Sequence, residues 1–159
     1  VIKKGISLTI TKWKRPSSES APTQSKCSGL YQICTLAKND AFRKGYDDAL
    51  MFDYRNYVAE TTSSNIFFIV NGKVITPIAD CFLNGITRKH VIKICSKLKL
   101  KVIEKRITKT EIKNASECFV TGTAAEITPV NKIDKFKYKI FEKSITQKIY
   151  SEFKKTIEL

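Results

Sequence analysis

Histidine is almost absent: His90 is the only one in 159 residues. That removes most Ser-His and Cys-His routes to nucleophilic catalysis. The five cysteines, Cys27, Cys34, Cys81, Cys95 and Cys118, form no CxxC pair. With one histidine beside them, a zinc site of ordinary ligand type lacks donors, and no metal is expected. Free thiols in a reducing cytosol are the plain reading. Arginine is scarce too. Arg15, Arg43, Arg55, Arg88 and Arg106 are the only five among 29 basic residues. The net charge is +14, but the lysines are scattered from Lys3 to Lys155. That scatter argues against a specific nucleic-acid site. No apolar run approaches the ~20 residues of a membrane span. Val1-Ile2-Lys3-Lys4 leads into an alternating segment, which is not a signal-peptide pattern. A cytoplasmic protein with no membrane partner is the expectation.

What is present is enough for a core. The chain is 42% hydrophobic, and its length suits one domain, 1–159. Ile6, Leu8 and Ile10 alternate with polar residues and predict a strand ending near Trp13. Trp13 to Pro22 reads as a polar loop. Leu30, Ile33, Cys34, Ala37 and Ala41 have helical spacing, with Gly45 as the stop. Ala49–Phe52 and Tyr57–Glu60 predict a hairpin. Ile66–Val70 and Val74–Thr76 predict a second one around Asn71-Gly72, a type I′ signal. Gly85-Ile86-Thr87 opens a helix with Val91, Ile94, Cys95 and Leu98 on one face. Val102–Ile107 reads as a strand, and Thr108-x-x-Glu111 fits a capping box. Cys118–Val120 and Ile127–Val130 are strands flanking Thr121–Ala125. Ile145, Ile149, Phe153 and Ile157 mark one face of a last helix. There is no internal repeat and no low-complexity tract.

Four stretches carry possible chemistry. Lys26 stands at an element boundary with Tyr31 close by, and a partly desolvated lysine there can act as a Schiff-base nucleophile. Taken alone, a lysine in so basic a chain reads more simply as surface charge. Glu60 is an acid at a strand end, otherwise a solvated carboxylate. Ile86 and Thr87, at a helix start, offer N–H and hydroxyl groups to an anion, otherwise an ordinary helix end. Thr121-Gly122-Thr123-Ala124-Ala125 offers another anion loop, otherwise a tight turn. An amine, a carboxylate, a phenol and two phosphate-type loops form the inventory that pyridoxal phosphate requires. The lysine carries the cofactor, the acid keeps the pyridine nitrogen protonated, the phenol meets O3′, and the loops take the phosphate.

At these residues the chain resembles the fold-type IV pyridoxal-phosphate enzymes, and among them the branched-chain amino-acid aminotransferases. The resemblance runs from about Gly5 to Val130. It covers Trp13-Lys14-Arg15-Pro16, Lys26-Cys27-Ser28-Gly29-Leu30-Tyr31, Gly45–Leu50, Tyr57–Glu60, Asn65-Ile66-Phe67, Leu83–Arg88 and Thr121–Val130. It implies an α/β (α+β) fold: mixed and antiparallel strands in a pseudo-barrel with packed helices. It implies pyridoxal 5′-phosphate as cofactor and transamination of Leu, Ile and Val with 2-oxoglutarate. By the same resemblance Lys26 is the catalytic Schiff-base lysine and proton shuttle. Glu60 pairs with the pyridine nitrogen and Tyr31 lies on the O3′ side. Ile86, Thr87 and Thr123 hold the phosphate, and Thr123, Ala124 and Tyr31 border the substrate.

Two positions depart from many branched-chain enzymes. Thr61 stands where they carry Gly, and Ser64 where they carry an acid. The hydroxyl-rich loop is similar to that of D-amino-acid aminotransferases. Those enzymes, aminodeoxychorismate lyases and an inactive remnant are the alternatives. The family also has an N-terminal domain, which supplies a phosphate arginine and much of the substrate pocket. The chain reads as the C-terminal, cofactor-bearing domain alone, part of a homodimer in complete form and of low activity by itself.

Overall fold

The computed structural model describes residues 4–157, so both ends of the expected domain 1–159 lie outside the described residues. One nine-stranded mixed sheet curls into a half-barrel and carries three helices. The strands are β1 (Ile6–Arg15), β2 (Asp48–Asp53), β3 (Val58–Thr61), β4 (Asn65–Val70) and β5 (Lys73–Pro77). They continue with β6 (Val102–Lys105), β7 (Glu117–Gly122), β8 (Glu126–Ile133) and β9 (Phe136–Lys137). The helices are α1 (Tyr31–Arg43), α2 (Ile86–Lys97) and α3 (Ile145–Ile157). The strand order is β3-β2-β1-β8-β7-β4-β5-β6, with β9 beside β8. β1 runs parallel to both β2 and β8. The far edge of the curl is tied across, since Val58 N–H donates to the Ile107 carbonyl.

Three clusters fill the fold. Leu8, Leu50, Val58, Ile66, Phe68, Val120 and Val130 meet inside the curl. Phe67, Ile69, Val74, Phe119 and Ile127 point outward and are covered by Val91, Ile94 and Cys95 of α2 and by Ile149 and Phe153 of α3. Cys34, Ala37 and Ala41 seat α1 on Ala49 and Met51 of β2. With both faces covered, β4 is buried through Ile69, which is why it reads as a continuous apolar run. Phe67 and Phe119 stack with centroids 5.0 Å apart, both fully buried. Phe119→Ala should cost about 3–5 kcal/mol of folding free energy. Denaturant unfolding would measure it, and a loss under about 1 kcal/mol would show that the outer layer repacks.

Most local expectations hold. Asn71 and Gly72 both have positive φ, 48° and 72°, as a type I′ turn requires. Gly45 has φ 77°, and Tyr46 N–H closes on the Ala41 carbonyl at 3.0 Å, ending α1. At Thr108 the Glu111 carboxylate reaches back to the Thr108 N–H at 2.8 Å, and a short 3-10 turn follows.

Four expectations change. The segment Trp13–Arg15 is strand and not loop, because β2 pairs Lys14 with Phe52 and Arg15 with Asp53. The strand after Val102 stops at Lys105, two residues short of Ile107. The short β9 was not anticipated, and it exists only by pairing with Lys132 and Ile133. Ile157 is 45% exposed, because the covered face of α3 reaches only to Phe153.

Candidate functional site

Four connections converge on one open cleft of about 610 Å³, within the usual size of a small-ligand site. Their residues come from far apart in sequence. Lys26 and Tyr31 lie before and at the start of α1. Glu60 is the penultimate residue of β3, and Thr62 to Asn65 lead into β4. Ile86 and Thr87 open α2, and Thr123 and Ala124 sit in the β7–β8 turn.

The Lys26 segment is long and polar but fastened. Thr23 Oγ donates to the Asp80 carbonyl at 3.1 Å. Gln24 Nε2 donates to the carbonyls of Ala79 and Phe82 at 2.8 and 3.0 Å. Asp80 is gripped in turn by Arg55, whose NH2 also reaches Asp53 at 2.7 Å and the Cys81 thiol at 3.2 Å. Asp53, Asp80 and Cys81 are the one cluster of metal-type ligands among the described residues. A guanidinium occupies its centre, so it works as a brace. Lys26 itself is exposed. The partial desolvation asked of it in the sequence reading is not supplied by the described residues around it.

Glu60 is held on two sides. Its Oε2 accepts from Asn65 Nδ2 at 3.2 Å, and its Oε1 lies 3.4 Å from Arg15 Nε. Burial pushes its carboxyl up to about 8, against the pull of the Arg15 charge. Burial, then the Glu60 charge, keeps the Tyr31 phenol protonated by raising it above its ordinary value. Asn65 also donates to the Leu83 carbonyl at 3.1 Å and accepts from the Gly85 N–H at 3.2 Å. One amide thus ties the acid to the start of α2.

No side chain caps α2, whose N-cap is Gly85. The first N–H groups of a helix are orphans and attract an anion. Arg88 is buried and fixes that helix end by donating to the Pro77 carbonyl at 2.9 Å and to Glu104. Across the cleft, Thr121 is 1% exposed and its hydroxyl has no partner. Of the hydroxyl-rich loop, Thr61 spends its Oγ on the Ser64 backbone, and Thr62 donates to Asp48 at 2.6 Å. Ser63 and Ser64 are the loop residues that line the cleft with hydroxyls not so committed among the described residues.

Gly85 has no room for a side chain. A Cβ there would lie 2.5 Å from Asn65 Oδ1. Gly85→Ala should therefore push Asn65 off its three partners and cost about 1–3 kcal/mol, the penalty of buried groups left unpaired. Equal denaturation midpoints for the variant and the parent would refute the Asn65 clamp. Cys27 is different. It precedes a 3-10 turn but makes no capping bond with its side chain. Cys27→Ala should keep any activity within a few-fold, and a folded but inactive variant would point to thiol chemistry.

Lys26, Tyr31, Glu60, Ile86, Thr87, Thr123 and Ala124 thus line the same cleft. From sequence, Arg15 and Asn65 had no role, and Thr121 only a place in an anion loop. Arg15 had a signal in the Trp13-Lys14-Arg15-Pro16 segment of the resemblance. Asn65 had one in the Asn65-Ile66-Phe67 segment of the resemblance.

The sequence model of the amino-transferase class IV family matches residues 2–133. The chain belongs to that family. Among its class IV relatives, a probable branched-chain-amino-acid aminotransferase of Rickettsia felis is 46% identical over 131 residues, 82% of this chain and 45% of that protein. A branched-chain aminotransferase of Thermoproteus uzoniensis, solved with norvaline, superposes with a TM-score of 0.92 at 35% identity. It covers 97% of this chain and 52% of its own. An aminotransferase of Brucella abortus, solved bound to its co-factor PLP, gives 0.92 at 31% identity over all of this chain and 56% of its own. The chain spans about half the length of the curated relatives it matches. The curled half-barrel with three helices is the fold of about half of those class IV chains.

Proposed function

We propose that this chain is the cofactor-bearing part of a pyridoxal-phosphate-dependent branched-chain aminotransferase. The observation that carries the proposal is the cleft itself, where an amine, a buried acid, a phenol and an uncapped helix start face one space. The donor set fits pyridoxal phosphate. Thr121 leaves a buried hydroxyl without a partner, and α2 leaves its first N–H groups open. When bound, the cofactor supplies an electron sink for the carbanion formed at the amino acid's Cα.

Each residue then has a task. Lys26 holds the cofactor's aldehyde carbon covalently and moves the proton at the substrate Cα. Glu60 accepts the pyridine N–H and holds that proton on the nitrogen. Tyr31 donates toward the O3′ side. Ile86 and Thr87 bind the phosphate through N–H and hydroxyl, with Thr123 adding a contact. Thr123 and Ala124 border the substrate carboxylate. These phosphate donors are neutral, and charge-assisted contacts are roughly twice as strong. The only arginine at the cleft is Arg15, already committed to Glu60. The 159 residues assayed alone are therefore expected to bind the cofactor weakly and turn over slowly.

The substrates proposed are Leu, Ile and Val with 2-oxoglutarate. A cytoplasmic homodimer is the proposed setting, with residues 1–159 as one domain. A second reading, a D-amino-acid aminotransferase, is favoured by one observation: Ser64 stands at the cleft where many branched-chain enzymes carry an acid. A panel separates them. Transamination of Leu, Ile and Val supports the first reading, and transamination of D-Ala the second. Pyruvate release from aminodeoxychorismate would replace both with a lyase.

A further inference from the structure

The cleft's least exposed charge is one the proposed chemistry does not use. Arg15 is 5% exposed, at the end of β1, yet it lines the cleft. Its guanidinium divides between two walls. On one side Nε stands 3.4 Å from Glu60 Oε1 and makes no hydrogen bond. On the other, NH1 donates to the Leu30 carbonyl at 3.4 Å and to the Cys34 thiol at 3.1 Å. Leu30 immediately precedes Tyr31.

We propose that Arg15 is a positioning residue: it supplies the counter-charge of the Glu60 carboxylate and at the same time fastens the Leu30–Tyr31 start of α1. One guanidinium thus spaces the two groups that would hold the bound ring, the acid at the pyridine nitrogen and the phenol at O3′. The inference rests on the pyridoxal-phosphate reading of the cleft.

The geometry suits the task. Burial pushes Glu60 toward the protonated form, a poor acceptor for a pyridine N–H, and Arg15 is the charge beside it that pulls the other way. The groups facing Glu60 are Arg15 from β1, Tyr31 and Cys34 from α1, and the neutral amide of Asn65 from β4. Lys26 borders the same cleft but is exposed to solvent. Arg15 is therefore the only buried cation among them. Its missing hydrogen bond matters as well. Asn65 occupies Oε2, and among the described residues Oε1 accepts no hydrogen bond. Arg15 provides charge there while leaving the oxygen open to a donor in the cleft. A tight bidentate pair would have used that oxygen up.

The test has two arms, each on the parent protein, Arg15→Met and Arg15→Lys. In the first, glutamate carboxyls are labelled with carbon-13, and the Glu60 signal is assigned by its loss in Glu60→Gln. The cofactor-free protein is then titrated. Arg15→Met should move the Glu60 midpoint up by about one to three units, as expected for removing an opposite charge within ~4–6 Å. Arg15→Lys should restore part of that shift. An unmoved midpoint in folded Arg15→Met overturns the inference whatever the cofactor does. In the second arm the proteins are loaded with pyridoxal phosphate carrying nitrogen-15 in the ring. The parent should show a protonated ring nitrogen, Arg15→Met a largely neutral one, and Arg15→Lys an intermediate state. A fully protonated nitrogen in Arg15→Met overturns the positioning role. A parent that binds no cofactor counts against the pyridoxal-phosphate reading, and the first arm still decides whether Arg15 governs Glu60.

Discussion

Lys26→Ala is expected to abolish covalent attachment of pyridoxal phosphate and nearly all aminotransferase turnover, with little effect on folding. Two functions go with one amine. General acid–base transfer by a positioned side chain is typically worth about 10² to 10⁴-fold by itself. The covalent step that splits a hard reaction into easier ones is lost in addition. Folding should be nearly untouched, because Lys26 is exposed. Surface substitutions of that kind usually stay within about 0.5 kcal/mol. The segment's fastenings, Thr23 and Gln24 onto the chain around Asp80, do not involve the Lys26 side chain. Borohydride reduction of the loaded protein and peptide mapping provide the check. The label should fall on the peptide containing Lys26 and disappear in the variant. A label on another lysine would displace Lys26 from its role, and with 29 Lys and Arg in the chain the control is needed.

Glu60→Gln is expected to leave the cofactor bound while cutting turnover by about 10²-fold or more, the scale of losing one preorganised electrostatic contact. The substitution keeps the shape of the side chain and removes the charge it would carry opposite a pyridine N–H. Asn65 Nδ2 can still donate to the amide oxygen, so the link to α2 through Leu83 and Gly85 survives. Arg15, however, is left buried without a counter-charge. A loss of stability is therefore expected together with the loss of rate, because breaking one side of a buried pair exposes the cost of the other. The two effects are separable. The double variant Arg15→Met/Glu60→Gln should regain stability relative to Glu60→Gln but not turnover. Wild-type turnover in Glu60→Gln would remove the acid from the mechanism.

Much of the fold was legible because its signals are local. The Asn71-Gly72 turn requires two residues that accept positive φ, and few residue pairs do so cheaply. The helical spacing of α1 and α2 and the alternation in β1 reflect backbone periods of 3.6 and 2. The candidate site was legible for a related reason. Lys26, Tyr31, Glu60, Ile86, Thr87, Thr123 and Ala124 sit at the ends of elements, where small, hydroxyl and charged residues interrupt apolar patterns. Their gathering along one cleft was not. Neither was the exposure of Lys26, which depends on what packs above it.

The sequence by itself determined eight of the nine strands and the three helices to within a few residues, and the class IV motifs that line the cleft. Tertiary structure decided which polar groups are free to act. Thr61 looked like a site hydroxyl until the Ser64 backbone took it. Asp53, Asp80 and Cys81 come together only around Arg55. Arg15 looked like part of a polar loop until pairing with Asp53 of β2 extended its strand. It then met Glu60, forty-five positions away in the chain. The reason is physical. A backbone period is set by neighbours in sequence, whereas the state of a buried charge is set by whichever opposite charge the fold brings within a few ångströms of it.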